Sequence, residues 1–413
     1  MKYRLKIGKI RIRLEDILFV FYFCRVIFTV FINRIIPFNI GSSLYVTLFF
    51  ILLFLCIIEQ KISNFFIPII VYWVVAIAFL LTYFIHPEYI SWFSHDVYGI
   101  IPAFLNPGSG IWALMIVWIM KDDDQHYKNL EVVCFLLFLF YVARFVSATR
   151  RGYWIVNDIS GQVLHSSYDL EFGYDMLFPV AFIGSMAFLN KRRVLYIPFI
   201  IGIYVILMGG SRGALIWPIV MFPIMMFFRW KEYNLQKRIR FSFFCLLFLI
   251  VLALISFNYE VLRSYLLASL DSLGIDSRTV KSILSGTFSD GNGREMIYKT
   301  AIEMIKTGGP FGWGVYGDRY VIGNIVRWGY AHNVILEILV SFGYFLGTII
   351  IAFLGRGMYL LFRECSTPKR QIIFITYLIT SMKLMLSNSF WYTGAFWAIL
   401  ALVLKWRRNQ HVC

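Results

Sequence analysis

FFIPIIVYWVVAIAFLLTYFI, residues 65–85, runs for 21 residues without one charged side chain. A bilayer with a hydrocarbon core of about 30 Å calls for a helix of about 20 consecutive apolar residues. Inside hydrocarbon, a helix satisfies its backbone N–H and C=O groups internally, which an open strand cannot do. The stretch therefore reads as a transmembrane helix. Comparable runs recur from Ile17 to Leu404 and divide into twelve segments: 17–34, 43–58, 65–85, 97–120, 130–149, 174–189, 194–208, 213–228, 241–257, 333–354, 371–386 and 389–404. The fourth is interrupted by Pro102, Pro107, Gly108 and Gly110, which suits a broken or re-entrant helix covered by protein or water.

Composition agrees with the runs. The 413 residues are 60% hydrophobic and 15% charged, with a mean hydropathy of +0.72. Soluble chains average roughly 45–50% apolar and about 25% charged residues. Too little polar surface remains to cover a water-soluble particle, so a soluble enzyme, a disordered chain and a secreted disulfide scaffold are excluded. The expected fold is all-α: a polytopic integral membrane protein of about twelve transmembrane helices, with 1–413 forming one membrane domain. Six basic residues within Met1–Arg13 precede the first run. That run contains Arg25 and lacks a small-x-small cleavage site, so it reads as a retained first helix rather than a signal peptide.

Charge then sets an expected orientation. The net charge is +16, from 39 Lys and Arg against 23 Asp and Glu. Cytoplasmic loops of membrane proteins collect Lys and Arg, so topology accounts for the excess without any nucleic-acid partner. With the N-terminus inside and spans alternating, the inner segments carry 24 basic residues and the short outer segments only Arg34, Arg150, Arg151 and Arg212. Both termini are thus expected in the cytoplasm. The 74-residue stretch Asn258–Ala331, closed by His332 as a large loop 258–332, is expected on the periplasmic or outer side with the turn before Arg212. The six cysteines show no C-x-x-C spacing and fall in spans or on the cytoplasmic side, away from the oxidising face.

The loop carries eight basic residues against seven acidic ones. Lys281, Lys299 and Lys306 read as solvated surface, with Lys299 placed to pair with Glu295 at i,i+4. Arg294 follows Gly291-Asn292-Gly293 and opens a helical stretch, Glu295–Thr307. An arginine beside the free N–H groups of a helix start makes a receptor for phosphate. Arg212 lies in Met208-Gly-Gly-Ser-Arg-Gly-Ala-Leu215, where an outer turn enters the membrane. Snorkelling into the headgroup layer is one reading of it. The flanking glycines, which admit close approach of a backbone or ligand, favour contact with a ligand phosphate. His332 stands at the start of the tenth span. A histidine there can accept a proton from an attacking hydroxyl; an interfacial capping role is the alternative. Asn333 can cap the helix, and Glu337, little more than a turn deeper, can pair with an arginine or fix local geometry.

Other features yield no chemistry. Gly312-Trp-Gly-Val-Tyr-Gly317 matches G-x-G-x-x-G, but no strand precedes it and no βαβ unit surrounds it. It better suits a tight turn. His126, after Asp122-Asp123-Asp124, reads as part of a solvated cytoplasmic loop rather than a metal site. The polar segment Arg150–Gly173 could line the outer vestibule without a fixed role. Arg25, Arg144 and Lys383 are intramembrane charges expected to be paired structurally.

Taken together, Gly-Gly-Ser-Arg212-Gly-Ala opening a span, Gly293-Arg294, the stretch Pro310-x-Gly312-x-Gly314, His332-Asn333-x-x-Leu-Glu337, and Gly343 with Gly347 downstream resemble the O-antigen polymerase and O-antigen ligase family of bacterial envelope glycosyltransferases. The motif-bearing part is roughly 205–350. The resemblance implies a GT-C-like helical enzyme of the bacterial inner membrane whose active site faces the periplasm. Its implied donor is an undecaprenyl-pyrophosphate-linked glycan, with no cofactor and no metal. Arg212 and Arg294 would hold the pyrophosphate and His332 would activate the acceptor hydroxyl. Arg319 and Arg327 match no family position and stay secondary candidates, with Asn333 and Glu337. The chain's size, Phe/Ile richness and 74-residue loop lean towards a polymerase joining lipid-linked repeat units. A ligase transferring glycan to lipid A-core is the alternative. A lipid-linked oligosaccharide flippase is a second alternative, although it would be expected to show internal repeats and midplane sites. A chain-length regulator and a flippase are conceivable partners.

Overall fold

The computed structural model describes residues 4–7, 10–36, 41–60, 62–96, 98–157, 163–166, 168–209, 211–239, 242–243, 294–326 and 329–410. Most of the expected ninth span, 244–257, and the loop stretch 258–293 lie outside the described residues, as does Arg327. The described part is helical apart from two small antiparallel hairpins, β1 (Arg4–Ile7) with β2 (Ile10–Arg13) and β3 (Trp154–Asn157) with β4 (Val163–Ser166). Its helices of seven or more residues, in order, are α1 (Leu14–Phe23), α2 (Arg25–Ile35), α3 (Gly41–Gln60), α4 (Phe66–Ile85), α5 (Trp112–Ile119), α6 (Asp123–Arg151), α7 (Leu170–Leu189), α8 (Tyr196–Met208) and α9 (Arg212–Glu232). They continue with α10 (Arg294–Thr307), α11 (Gly317–Gly323), α12 (Val334–Glu364), α13 (Pro368–Ser381) and α14 (Gly394–Gln410).

Six of these (α3, α4, α6, α7, α9 and α12) are long and apolar enough to cross a membrane. The sequence dictates where several begin and end. Asp122 accepts from the Gln125 N–H at 2.7 Å to start α6, and Gly152, with φ +77°, closes it. Asp169 accepts from the Glu171 and Phe172 N–H groups to start α7. Thr367 caps α13, with Pro368 just inside it. These short polar side chains take up donors that a first helical turn leaves orphaned.

Helix α7 is the centre of the bundle. Of its most apolar 18 residues 83% are buried, against 28% for α3 and α4, which leaves the outward faces of α3 and α4 for lipid. It packs against α6, α8, α9 and α13. The end of the bundle bearing the starts of α6 and α13 is tied by ion pairs, Arg370–Asp123 at 2.6 Å and Lys369–Asp124 at 2.7 Å. The opposite end bears the starts of α7, α9 and α12.

Two expectations change, and the interruption expected in 97–120 is present. The first span is two helices, parted at Cys24. Segment 97–120 is broken into a π-turn at Ile101–Leu105 and the short α5. The intervening backbone is satisfied within the protein, because Gly110 N–H donates to Trp391 O at 3.1 Å and Ser109 O accepts from the Tyr22 hydroxyl. His126 is not in a solvated loop. It lies in the first turn of α6, 2% exposed, with Nε2 2.9 Å from the Tyr377 hydroxyl and its ring edge-on to Phe19. The sequence places it beside three aspartates, but the helix starts at Asp123 and turns it inward.

Candidate functional site

The approach to α12 is built from unusual backbone. His332 adopts the left-handed region, φ +52°, which is uncommon for a residue with a side chain. That turn lays its imidazole against Tyr330, with ring centroids 3.8 Å apart. The next residue, Asn333, caps α12: its Oδ1 accepts from the Ile335 and Leu336 N–H groups at 3.0 and 3.3 Å. Its Nδ2 donates to Met385 O at 3.2 Å, so the cap also ties α12 to the turn after α13. The Tyr330 hydroxyl accepts from Asn388 N–H at 2.9 Å in that same turn. Burial pushes the Tyr330 phenol up to about 12, offset in part by its hydrogen bonds to Ser387 and Asn388.

Beneath this strip lies a buried charge ladder. Arg319 donates through Nη1 to Asp318 at 2.8 Å and through Nη2 to Glu337 at 3.1 Å. Glu337 also accepts from the Ser389 hydroxyl at 2.5 Å and the Phe390 N–H at 3.4 Å. Asp318 accepts from Ala331 N–H at 3.2 Å, one residue before His332. The guanidinium lies over the rings of Tyr316 and Tyr330. Burial works against its charge, but Asp318 and Glu337 outweigh that and hold it well above the ordinary arginine range. Two carboxylates are thus held by one arginine, through two of its five N–H donors. Arg319 is 3% exposed, and through Asp318, which accepts from Ala331 N–H, it ties to the strip at residues 330–332.

A second support comes from Pro310–Tyr316. Helix α12 is broken at Gly343, whose φ is +72°. The carbonyls of Val340 and Ser341, freed by the break, accept instead from Trp313 and Gly314 N–H, both at 2.9 Å. A Cβ on Gly343 would strike the Pro310 carbonyl, and one on Gly312 would strike the backbone at Gly343. Gly312, Gly314 and Tyr316 all have positive φ. The G-x-G-x-x-G stretch is thus a tight turn seated in a helix break.

Arg212 is the first residue of α9, half-exposed, after the buried Ser211. Helices α7 and α9 pack closely here, side chain against glycine: a Cβ on Gly173 would overlap the Ser211 side chain, and one on Gly213 would overlap the Tyr174 hydroxyl. Gly213 also faces Leu386, at 3.6 Å from a built Cβ. Arg294 begins α10, half-exposed, and its charge acts on the same Tyr174 hydroxyl. Helix α10 packs Ile297, Ala301 and Met304 into a small core with Ile322, Ala331 and Val340. Gly213, next to Arg212, and the charge of Arg294 therefore both bear on one tyrosine, while the turn after α13 joins the start of α9 to the cap of α12. The exposed Glu295–Lys299 pair closes at 3.0 Å.

Sequence reasoning took Glu171 only as part of the polar segment Arg150–Gly173 and did not single out Asp175. They are one turn apart on α7, and both lie within electrostatic range of Lys383. Their i,i+4 spacing was a visible signal; the lysine opposite, more than 200 residues away, was not. Arg144 pairs with Asp169 at 2.7 Å.

Fold and site define a helical, multi-pass membrane protein with cations and an imidazole gathered at one end of the bundle. Residues 197–352 match the family model described as O-Antigen ligase, and the chain thus carries a domain that supports the O-antigen polymerase and ligase family. The matched region contains Arg212, Arg294, Arg319, His332, Asn333 and Glu337. No curated protein matches the chain.

Proposed function

We propose that the protein is a polysaccharide polymerase that joins undecaprenyl-pyrophosphate-linked repeat units on the outer face of the bacterial inner membrane. The family match supports polymerase or ligase activity in general. The observation that supports the reading is that the start of α9, which carries Arg212, packs at Gly213 against Tyr174, on which the charge of Arg294 acts, with the cap beside His332 tied to the same end of the bundle. In the reaction, the acceptor sugar's hydroxyl oxygen attacks the donor's anomeric carbon and His332 takes the hydroxyl proton. The bond from that carbon to the diphosphate oxygen breaks, and its electron pair leaves with the diphosphate. Arg212 and Arg294 stabilise the charge that develops there. Asp318, Arg319 and Glu337 position the strip that carries His332.

The family's name, O-Antigen ligase, favours a second reading, a ligase that uses the same donor and lipid A-core as acceptor. Deleting the gene and displaying surface polysaccharide on a gel separates them. A single repeat unit on core marks a lost polymerase; bare core with accumulated lipid-linked polymer marks a lost ligase. Purified protein that moves lipid-linked units across a bilayer without forming glycosidic bonds would refute both.

A further inference from the structure

Helix α9 ends where the bilayer does. Its 21 residues extend about 31 Å, against a hydrocarbon core of about 30 Å. The chain then turns through Tyr233, with φ −83° and ψ 138°, and residues 235–239 form a short helical turn. Asn234 starts it, its Oδ1 accepting from Lys237 N–H at 3.1 Å. Positions four apart share a helix face, and the position midway lies opposite. Leu235 and Ile239 therefore make an apolar edge with Lys237 behind it. Leu235 is 73% exposed and Ile239 60%, although neither belongs to a helix long enough to cross the membrane.

Hydrogen bonds fix this turn to the bundle. Arg238 donates through Nε to Trp230 O at 3.3 Å, with its guanidinium over the Trp230 ring. Arg229 donates to Phe188 O at 2.8 Å, at the end of α7, and the exposed Lys191, Arg192 and Arg193 follow that helix end. Residues 229–240 hold five basic side chains against one acidic. Exposed apolar side chains flanked by cations, one residue or two past the end of a span, suit the boundary between acyl chains and headgroups.

A second amphipathic element lies at the same end. Strands β1 and β2 pair Arg4 with Arg13, Leu5 with Ile12, Lys6 with Arg11 and Ile7 with Ile10. That register puts four cations on one face of the hairpin and four aliphatic residues on the other. Like charges directly opposite one another destabilise a ladder, and a lone two-stranded hairpin is marginal in water. An anionic bilayer surface answers both needs. The hairpin leads straight into α1 at Leu14. Arg13 Nη1 donates to Gln125, in the first turn of α6, at 3.1 Å, which ties the hairpin to the end of the bundle where α9 finishes.

We infer that the 235–239 turn and the β1–β2 hairpin form a docking surface for anionic phospholipid headgroups of the surrounding membrane. Each element sets its apolar face at the acyl boundary and its cations among the phosphates. The headgroup layer is about 5–8 Å deep on each side, a depth that Lys and Arg side chains span. The inference rests on the membrane-spanning fold and is independent of the transferase reading.

Two measurements on the purified full-length protein test it. In nanodiscs of mixed phosphatidylglycerol and phosphatidylcholine, a fluorescent amino acid is placed by stop-codon suppression at 235, 239 or 237. Lipids that carry a nitroxide just below the headgroup should quench it at least about twofold more strongly at 235 and 239 than at 237. In neutral detergent micelles, phosphatidylglycerol is titrated against Lys237→Gln and against Lys6→Gln with Arg11→Gln. Affinity should fall about fivefold for each charge removed. Lys299→Gln and Lys306→Gln, which remove exposed cations of α10, should leave it unchanged. Equal quenching at 235 and 237, or an equal loss of phosphatidylglycerol affinity in the α10 variants, would overturn the surface. A dimer that shields position 235 from the nitroxide lipid would assign the apolar edge to a second copy of the chain, and would overturn it as well.

Discussion

Replacing Arg319 by methionine tests whether the buried ladder is internal scaffolding or ligand contact. Arg319 is 3% exposed, Asp318 0% and Glu337 1%, so the variant strands two carboxylates out of water with no cation between them. Removing one partner from a buried pair costs about 3–5 kcal/mol, most of it the cost of the charge left behind. Domains of 150–250 residues lose about 2–4 °C per kcal/mol, and a 413-residue chain shifts less. The apparent unfolding midpoint should therefore fall on the order of 5–10 °C. Fluorescence-detected size exclusion after heating in detergent reads this directly. Arg319→Met with Glu337→Gln removes one stranded charge, and the double variant should be less unstable than the sum of the two singles. Undecaprenyl pyrophosphate binding, measured below the midpoint, should persist. An unchanged midpoint together with about tenfold weaker binding would refute the reasoning and return Arg319 to the ligand.

His332→Ala should lower chain elongation about 10²–10⁴-fold while membrane insertion and thermal stability stay near wild type; near-normal turnover would remove His332 as the base. Arg212→Lys keeps a charge but loses the planar fork, so turnover by purified protein should fall at least several-fold, with Arg212→Ala lower still. Gly343→Ala puts a methyl group against the Pro310 carbonyl at a φ of +72° and should destabilise by at least about 1–3 kcal/mol; an unshifted melting midpoint would mean that the turn does not seat in the break. Cysteines introduced at 212 and 332 should both react with an impermeant thiol reagent added from the periplasmic side, and reaction from opposite sides would end the proposed site.

Much of the architecture was legible because its causes are local. A charge-free run such as 66–85 forms a helix wherever it lies, since hydrocarbon leaves the backbone no other partners. Caps at Asp122, Asp169 and Asn333 act within three residues. The start of α10 at Arg294 was likewise marked by what surrounds it in the chain. The Cys24 break was not, because the residues around it keep the apolar character of one continuous span.

What the tertiary structure alone decided are the pairings between distant residues. His126 looked solvated beside its aspartates, yet a partner 251 positions away draws it inside. Arg319 and Arg294 are both loop arginines by sequence; only packing shows that one is held by Asp318 and Glu337 while the other stays half-exposed near Tyr174. The break at Gly343 could form only because a turn thirty residues earlier supplies the missing N–H donors. Run length, capping and charge bias are properties of neighbouring residues, so the sequence carries them openly. Which charges neutralise one another depends on where the folded chain brings them, and burial then makes that choice energetically decisive.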